Sequence, residues 1–179
     1  MEFNLARLIA AISEAHPDRV ALVHKSKQIS FPTFVERYRR FGSALNASGL
    51  SCRVERSELE GHMSGQDHVA LFLNNECEYL ESMLGAWAGR VASFNVNHRY
   101  IADELHYLLT DADAKAVVVN SMYAPNLAEV LPQLPNLGLI VQVPDESGNG
   151  LLPGAIYYED FLREQEPRDL DDCSPAVSY

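Results

Sequence analysis

The stretch FNVNHRY, residues 94–100, gathers two carboxamides, an imidazole and a guanidinium at Asn95, Asn97, His98 and Arg99. Such groups can orient a carbonyl or phosphate oxygen and move a proton. They can equally hydrogen-bond a strand-to-helix turn, and Arg99→Ala would then cost about 1–3 kcal/mol by unpairing buried groups. Cys77 precedes a helical pattern, where a helix N-terminus can lower a thiol pKa, although the face of that helix otherwise reads as packing. The histidines, His16, His24, His62, His68, His98 and His106, show no HExxH-like spacing and read as solvated or capping groups. Asp103 and Glu104 fall in a first helical turn, where acids suit the helix dipole. The other paired acids are Asp111/Asp113 and Asp171-Asp172. There is no GxSxG elbow, GxGxxG turn or GxxxxGK[ST] loop. Ser147-Gly148-Asn149-Gly150 follows an apolar run but has no lysine, and reads as a plain turn. No catalytic, cofactor-binding or metal-ligating residue is assigned; Asn95, Asn97 and Arg99 remain as a polar cluster where a strand ends.

Regular elements must hold that cluster. Apolar runs begin at Val69, Val91, Lys115 and Leu139, spaced by 22 to 24 residues. That interval fits a strand, a helix of about ten residues and two short loops. The runs predict strands over 69–73, 91–96, 115–119 and 139–143, with helical patterns over 78–87, 102–111 and 125–134 between them. Runs apolar on both faces are expected of parallel strands covered by helices on either side. Upstream, Leu5, Leu8, Ile9 and Ile12 recur at helical spacing, with Asn4 placed to cap and Phe3 to staple. Short β runs at 20–23 and 28–30 read as a hairpin. Ser30 can cap a second helix with Pro32 in its first turn and Gly49 at its end. Residues 51–67, SCRVERSELEGHMSGQD, are charged and apolar-poor, which reads as a surface insertion. Residues 156–165 predict a last helix. The fold class is therefore α/β: a mainly parallel sheet flanked by helices, with an N-terminal helix and a short β-hairpin.

The 179 residues suit one domain, and 47% apolar against 22% charged residues is ordinary for a globular chain. Twenty-five acids outnumber 14 Lys plus Arg, giving a net charge of −11, which disfavours nucleic acid as a partner. Cys52, Cys77 and Cys173 lie far apart with no secretory signal before them, as in a cytoplasmic protein with reduced thiols. No 18-residue apolar run exists, so no transmembrane segment is expected.

The order of these segments resembles the N-terminal part of an AMP-forming acyl-CoA synthetase of the adenylate-forming ligase superfamily, of the actinobacterial fatty-acid or steroid-acid CoA ligase type. The resemblance runs through HPDRVALVHKSKQISFPTF, through DHVALFLNNECEYLESMLGAWAGRVASFNVNHRYIADELHYLLTDADAKAVVV, and through APNLAEVLPQLPNLGLIVQVPD. Two steps depart from the family pattern: Thr33 stands for a usual Glu, and Ala88-Gly89-Arg90-Val91-Ala92-Ser93 for a Lys-Ala-Gly-Ala-Val-Pro step. The resemblance implies a partial adenylate-forming ligase domain over 1–165, with 51–67 inserted and 166–179 a linker towards a phosphate loop. It implies that the intact enzyme activates a carboxylic acid with ATP and magnesium, then transfers the acyl group to coenzyme A. The loop, the magnesium ligand and the catalytic lysine of the family match no position here. This chain alone is expected to be inactive scaffold that binds no cofactor. Its expected partner is the remainder of the ligase or another chain, with self-association through exposed apolar surface. A stand-alone regulatory module that pairs with another chain is the alternative, and a small α/β enzyme using FNVNHRY a third reading.

Overall fold

Ser30 starts the longest helix of the computed structural model, which describes residues 5–168. Its hydroxyl accepts from the backbone N–H of Thr33 at 3.4 Å and lies 3.0 Å from the Thr33 hydroxyl, so the capped start survives the threonine there. Helix α1 (Leu5–Ala15) and a hairpin of β1 (Val20–His24) and β2 (Lys27–Ser30) precede this helix, α2 (Phe31–Ala47). Lys25 in the hairpin turn has φ 53°, and Gly49 ends α2 at φ 88°. Phe3 and Asn4, expected to staple and cap α1, lie outside the described residues.

The remaining elements alternate. They are β3 (His68–Phe72), α3 (Cys77–Ala88), β4 (Ala92–Asn95), α4 (Ala102–Asp111), β5 (Ala114–Asn120), α5 (Ala124–Val130), β6 (Leu139–Val143), β7 (Ile156–Tyr157) and α6 (Tyr158–Arg163). The sheet order is β4-β3-β5-β6-β7, and every pair is parallel, as the doubly apolar strands require. All four expected strands form within a residue or two of their expected limits.

Alternation along each strand assigns the two faces. Val69, Leu71, Ala116, Val118, Val141 and Val143 meet Phe41 and Leu45 of α2, Ala86 of α3 and the aromatic residues of α6. Ala70, Phe72, Val117, Val119 and Ile140 meet Leu105 and Leu109 of α4 and Leu127 and Val130 of α5. A third cluster packs α1 and the hairpin on the outer side of α2 and α3.

Two expected helices differ. The one over 156–165 begins only at Tyr158, because Ile156 and Tyr157 are extended and pair with Val141 and Gln142 as β7. Two β-favouring side chains beside an open strand edge outweigh a helical pattern with no capping side chain. The one over 125–134 stops at Val130 and continues as a 3-10 turn over Leu131–Gln133. Pro132 lacks an N–H and its ring would meet the carbonyl four residues back.

Helices α2 and α3 touch backbone to backbone. A Cβ on Gly42 would stand 2.6 Å from the Gly85 carbonyl oxygen, and one on Gly85 2.6 Å from that of Tyr38. Gly89 closes the same contact, 3.0 Å from the Gly42 oxygen. Neither backbone can yield like a side chain. Gly85→Ala is expected to destabilise by about 1–3 kcal/mol despite its better helix propensity. Gly61→Ala, in open space, should stay within about 0.5 kcal/mol; urea denaturation of both variants checks the contrast.

Candidate functional site

Strands β3 and β5 are neighbours, yet the chain leaves β3 towards β4 over one face and returns to β5 over the other. That reversal makes their carboxyl ends a topological switch point, where open α/β sheets usually bind ligands. Side chains of the protein itself fill it here. The Asn74 backbone N–H donates to Asn120 Oδ1 at 2.7 Å, and the Tyr123 hydroxyl donates to Asn74 Oδ1 at 2.6 Å. Asn120 is fully buried, and its Nδ2 has no protein partner. The Tyr123 ring stacks on Phe72 at 4.8 Å and on exposed His98 at 6.1 Å. Burial raises the Tyr123 hydroxyl pKa. The sequence signal for this network is modest: an asparagine directly after each apolar run, in VALFLNN and KAVVVNS.

The FNVNHRY residues lie at the same end without converging on one point. Asn95 ends β4 and is exposed; Asn97 Oδ1 accepts from the Arg99 backbone N–H at 3.0 Å. The Arg99 side chain is exposed, and no described residue hydrogen-bonds or ion-pairs with it. The turn is thus held by Asn97 and the Arg99 backbone, and the guanidinium has no part in it.

Among the described residues, acids already hold two groups of backbone donors at this end of the sheet. In the loop after β6, Asp145 already takes the N–H of Met122 at 2.7 Å and of Ser147 at 2.8 Å. Burial would raise this carboxyl, but hydrogen bonds from Ser147 and Met122 hold it below the usual range. An anion arriving there would meet a carboxylate. At the start of α4, Glu104 accepts from the Ile101 N–H at 3.1 Å, closing that helix end with an acid, with Asp103 beside it. Cys77 is no activated thiol: it is buried, and burial pushes its pKa up, against the lowering a helix N-terminus could bring. His68 does cap, with Nδ1 2.5 Å from the Ala112 carbonyl at the end of α4 and Nε2 2.8 Å from Ser64 Oγ. Asp113 is paired with Lys115 at 2.7 Å. Among the described residues no three His, Cys, Asp or Glu side chains gather to hold a metal, and Asp171 and Asp172 lie outside them.

Two further places carry charge. A groove of about 450 Å³ lies at the opposite end of the sheet, between the end of α2, the base of 51–67 and the starts of β5 and β6. Its cations are occupied, Arg53 by Asp67 at 2.7 Å and Lys115 by Asp113. Beneath α2, Glu81 of α3 is fully buried. Its carboxylate receives Arg37 Nε at 2.8 Å and the Tyr158 hydroxyl at 3.1 Å. Burial raises the Glu81 pKa above the ordinary 4.5, against the opposing pull of Arg37. Sequence reading missed this cluster, because Glu81 looks like any polar position on an amphipathic helix.

The family model for AMP-binding enzymes matches residues 9–176. The chain is 44% identical to the medium-chain acyl-CoA ligase Mig of Mycobacterium avium over 160 residues, 89% of this chain and 29% of that protein. It is 28% identical to the 3-oxocholest-4-en-26-oate–CoA ligase of Rhodococcus rhodochrous, over 100% of this chain and 30% of that one. Among solved structures, the anthranilate CoA ligase AuaEII bound to anthranoyl-AMP superposes with a TM-score of 0.78 at 18% identity, covering 97% of this chain and 30% of that one. A benzoate CoA ligase from Burkholderia xenovorans LB400 gives 0.74 at 19% identity, covering 99% and 31%. These structural likenesses speak for the fold. This chain belongs to the AMP-binding enzyme family. It spans about 30% of the length of the curated relatives it matches.

Two outcomes are expected. Arg99→Ala should leave the melting temperature almost unchanged, within the equivalent of about 0.5 kcal/mol for an unpartnered surface residue, in place of the 1–3 kcal/mol of a buried turn. Because the folded Glu81 carboxyl holds its proton more tightly than the unfolded one, its contribution is fully present below pH 4.5 and is lost as pH rises through the folded value. The stability of Glu81→Gln relative to the natural chain should therefore climb with pH across that window, read by urea denaturation at stepped pH.

Proposed function

We propose that this chain is the N-terminal α/β scaffold of an acyl-CoA ligase. The intact ligase would carry out ATP-dependent activation of a medium-chain or steroid-derived carboxylic acid to its coenzyme A thioester, with ATP, magnesium and coenzyme A as its cofactors. The 44% identity to a medium-chain acyl-CoA ligase over 89% of the chain carries this reading. In it, residues 1–165 are the scaffold, 51–67 an insertion on its surface, and 166–179 the link to the phosphate-binding part; residues 169–179 lie outside the described structure. Asn95, Asn97 and Arg99 sit on the edge of the sheet that would face the rest of the enzyme.

By itself the chain holds neither nucleotide nor acid, since its loop carboxylate and capped helix start oppose a phosphate. Its partner is the remainder of the ligase. Exposed side chains such as Val23, Ile101 and Tyr107 leave apolar surface for that contact or for self-association. Among the described residues no helix is long and apolar enough to cross a membrane, and free Cys52 and Cys77 support placing the ligase in the cytoplasm.

The experiment is calorimetric titration of the 179-residue chain with Mg-ATP, beside pyrophosphate exchange with medium-chain fatty acids and a steroid acid. No saturable heat and no acid-dependent exchange are expected. One exposed charge pair, about 1 kcal/mol at best, falls short of the roughly 4 kcal/mol of millimolar binding. Micromolar ATP binding, or exchange above the no-protein control, would overturn the scaffold reading.

A further inference from the structure

Residues 156–168 are attached more by side chains than by backbone. Strand β7 contributes two paired residues, and α6 has six, far fewer than a helix needs to persist alone in water. Residues 144–155, which lead to them, contain no helix or strand. One stripe of α2 reaches across instead. Arg37 sends Nη1 and Nη2 to the two Glu159 oxygens at 3.1 and 2.7 Å, and Nε to Glu81 at 2.8 Å. Arg40 Nη1 donates to the Gln165 carbonyl at 2.7 Å, and Ser43 Oγ accepts from the Arg168 N–H at 3.3 Å. Arg37, Arg40 and Ser43 are three residues apart, so they share one helix face.

Apolar contacts complete the attachment. Tyr158 stacks on Phe41 at 5.7 Å, Phe161 meets it edge-on at 5.6 Å, and both are buried with Leu162. Laying Tyr158 down, however, also seals Glu81. Burying a carboxylate is unfavourable, and it is tolerated here because Arg37 and the Tyr158 hydroxyl satisfy it. The closed position thus carries a built-in opposing force, and water reaching Glu81 on opening offsets part of the lost packing.

We infer that residues 156–168 form a strap that opens as a unit, with Arg37 as its clasp, baring the edge of β6 while the rest of the sheet stays folded. Units of this kind open below the free energy of global unfolding. Without Arg37, the closed strap leaves Glu81 buried with the Tyr158 hydroxyl in place of a cation, and lifting the strap relieves that at less cost than unfolding the sheet.

Hydrogen exchange read by mass spectrometry on the full chain tests this. In the natural protein, amides of 156–168 are expected to exchange at least tenfold faster than those of β3 and β5. Arg37→Met should speed the strap a further tenfold or more while β3 and β5 keep their rates. Adding Glu81→Leu to Arg37→Met removes the buried acid left without its cation and should return strap protection most of the way. Strap amides as slow as the β3 and β5 amides in the natural chain overturn the inference without any variant. Equal acceleration of strap and core, an unchanged strap, or no recovery in the double variant overturns it as well.

Discussion

The missing side chains of Gly42, Gly85 and Gly89 set the distance between α2 and α3. Where any other residue would separate the two backbones, these three let carbonyl meet Cα. The close crossing lets Phe41 and Leu45 of α2 and Ala86 of α3 share one core over β3 and β5. On its outer side, Tyr38, Leu84 and Ala88 offer α1 and the hairpin one continuous surface.

The same crossing brings Arg37 over Glu81. A buried ion pair is weak as a source of stability, since desolvation offsets much of its attraction. Its value lies in what else it will accept. Arg37 hydrogen-bonds carboxylates on two different elements, and Glu81 takes a second partner in Tyr158. A single helix face thereby decides where the chain runs after the last strand.

The carboxyl edge of the sheet is finished differently. At the switch point Asn74 donates its backbone N–H to Asn120 and accepts from the Tyr123 hydroxyl, with Phe72 and His98 against the Tyr123 ring. Asp145 occupies the amide donors of the next loop.

Local sequence determined most of the elements. Apolar runs every 22 to 24 residues placed four strands, their doubly apolar character made them parallel, and Ser30, Pro32 and Gly49 marked the limits of α2. Periodicity reports how one segment divides its faces between core and water, and that division survives whatever packs on it. Tertiary structure alone decided the rest. Ile156 and Tyr157 became a strand because the edge of β6 was free beside them. Arg99, legible as a functional residue by type, proved to have no described partner, while Asn120, ordinary by type, ended buried at the switch point. Arg37 and Glu81 lie 44 residues apart, and Tyr158 and Glu81 lie 77 apart. Nothing in either neighbourhood encodes the meeting. It arises from the crossing of α2 and α3, and a glycine's part in a crossing appears only when a second backbone occupies the space its side chain would have filled.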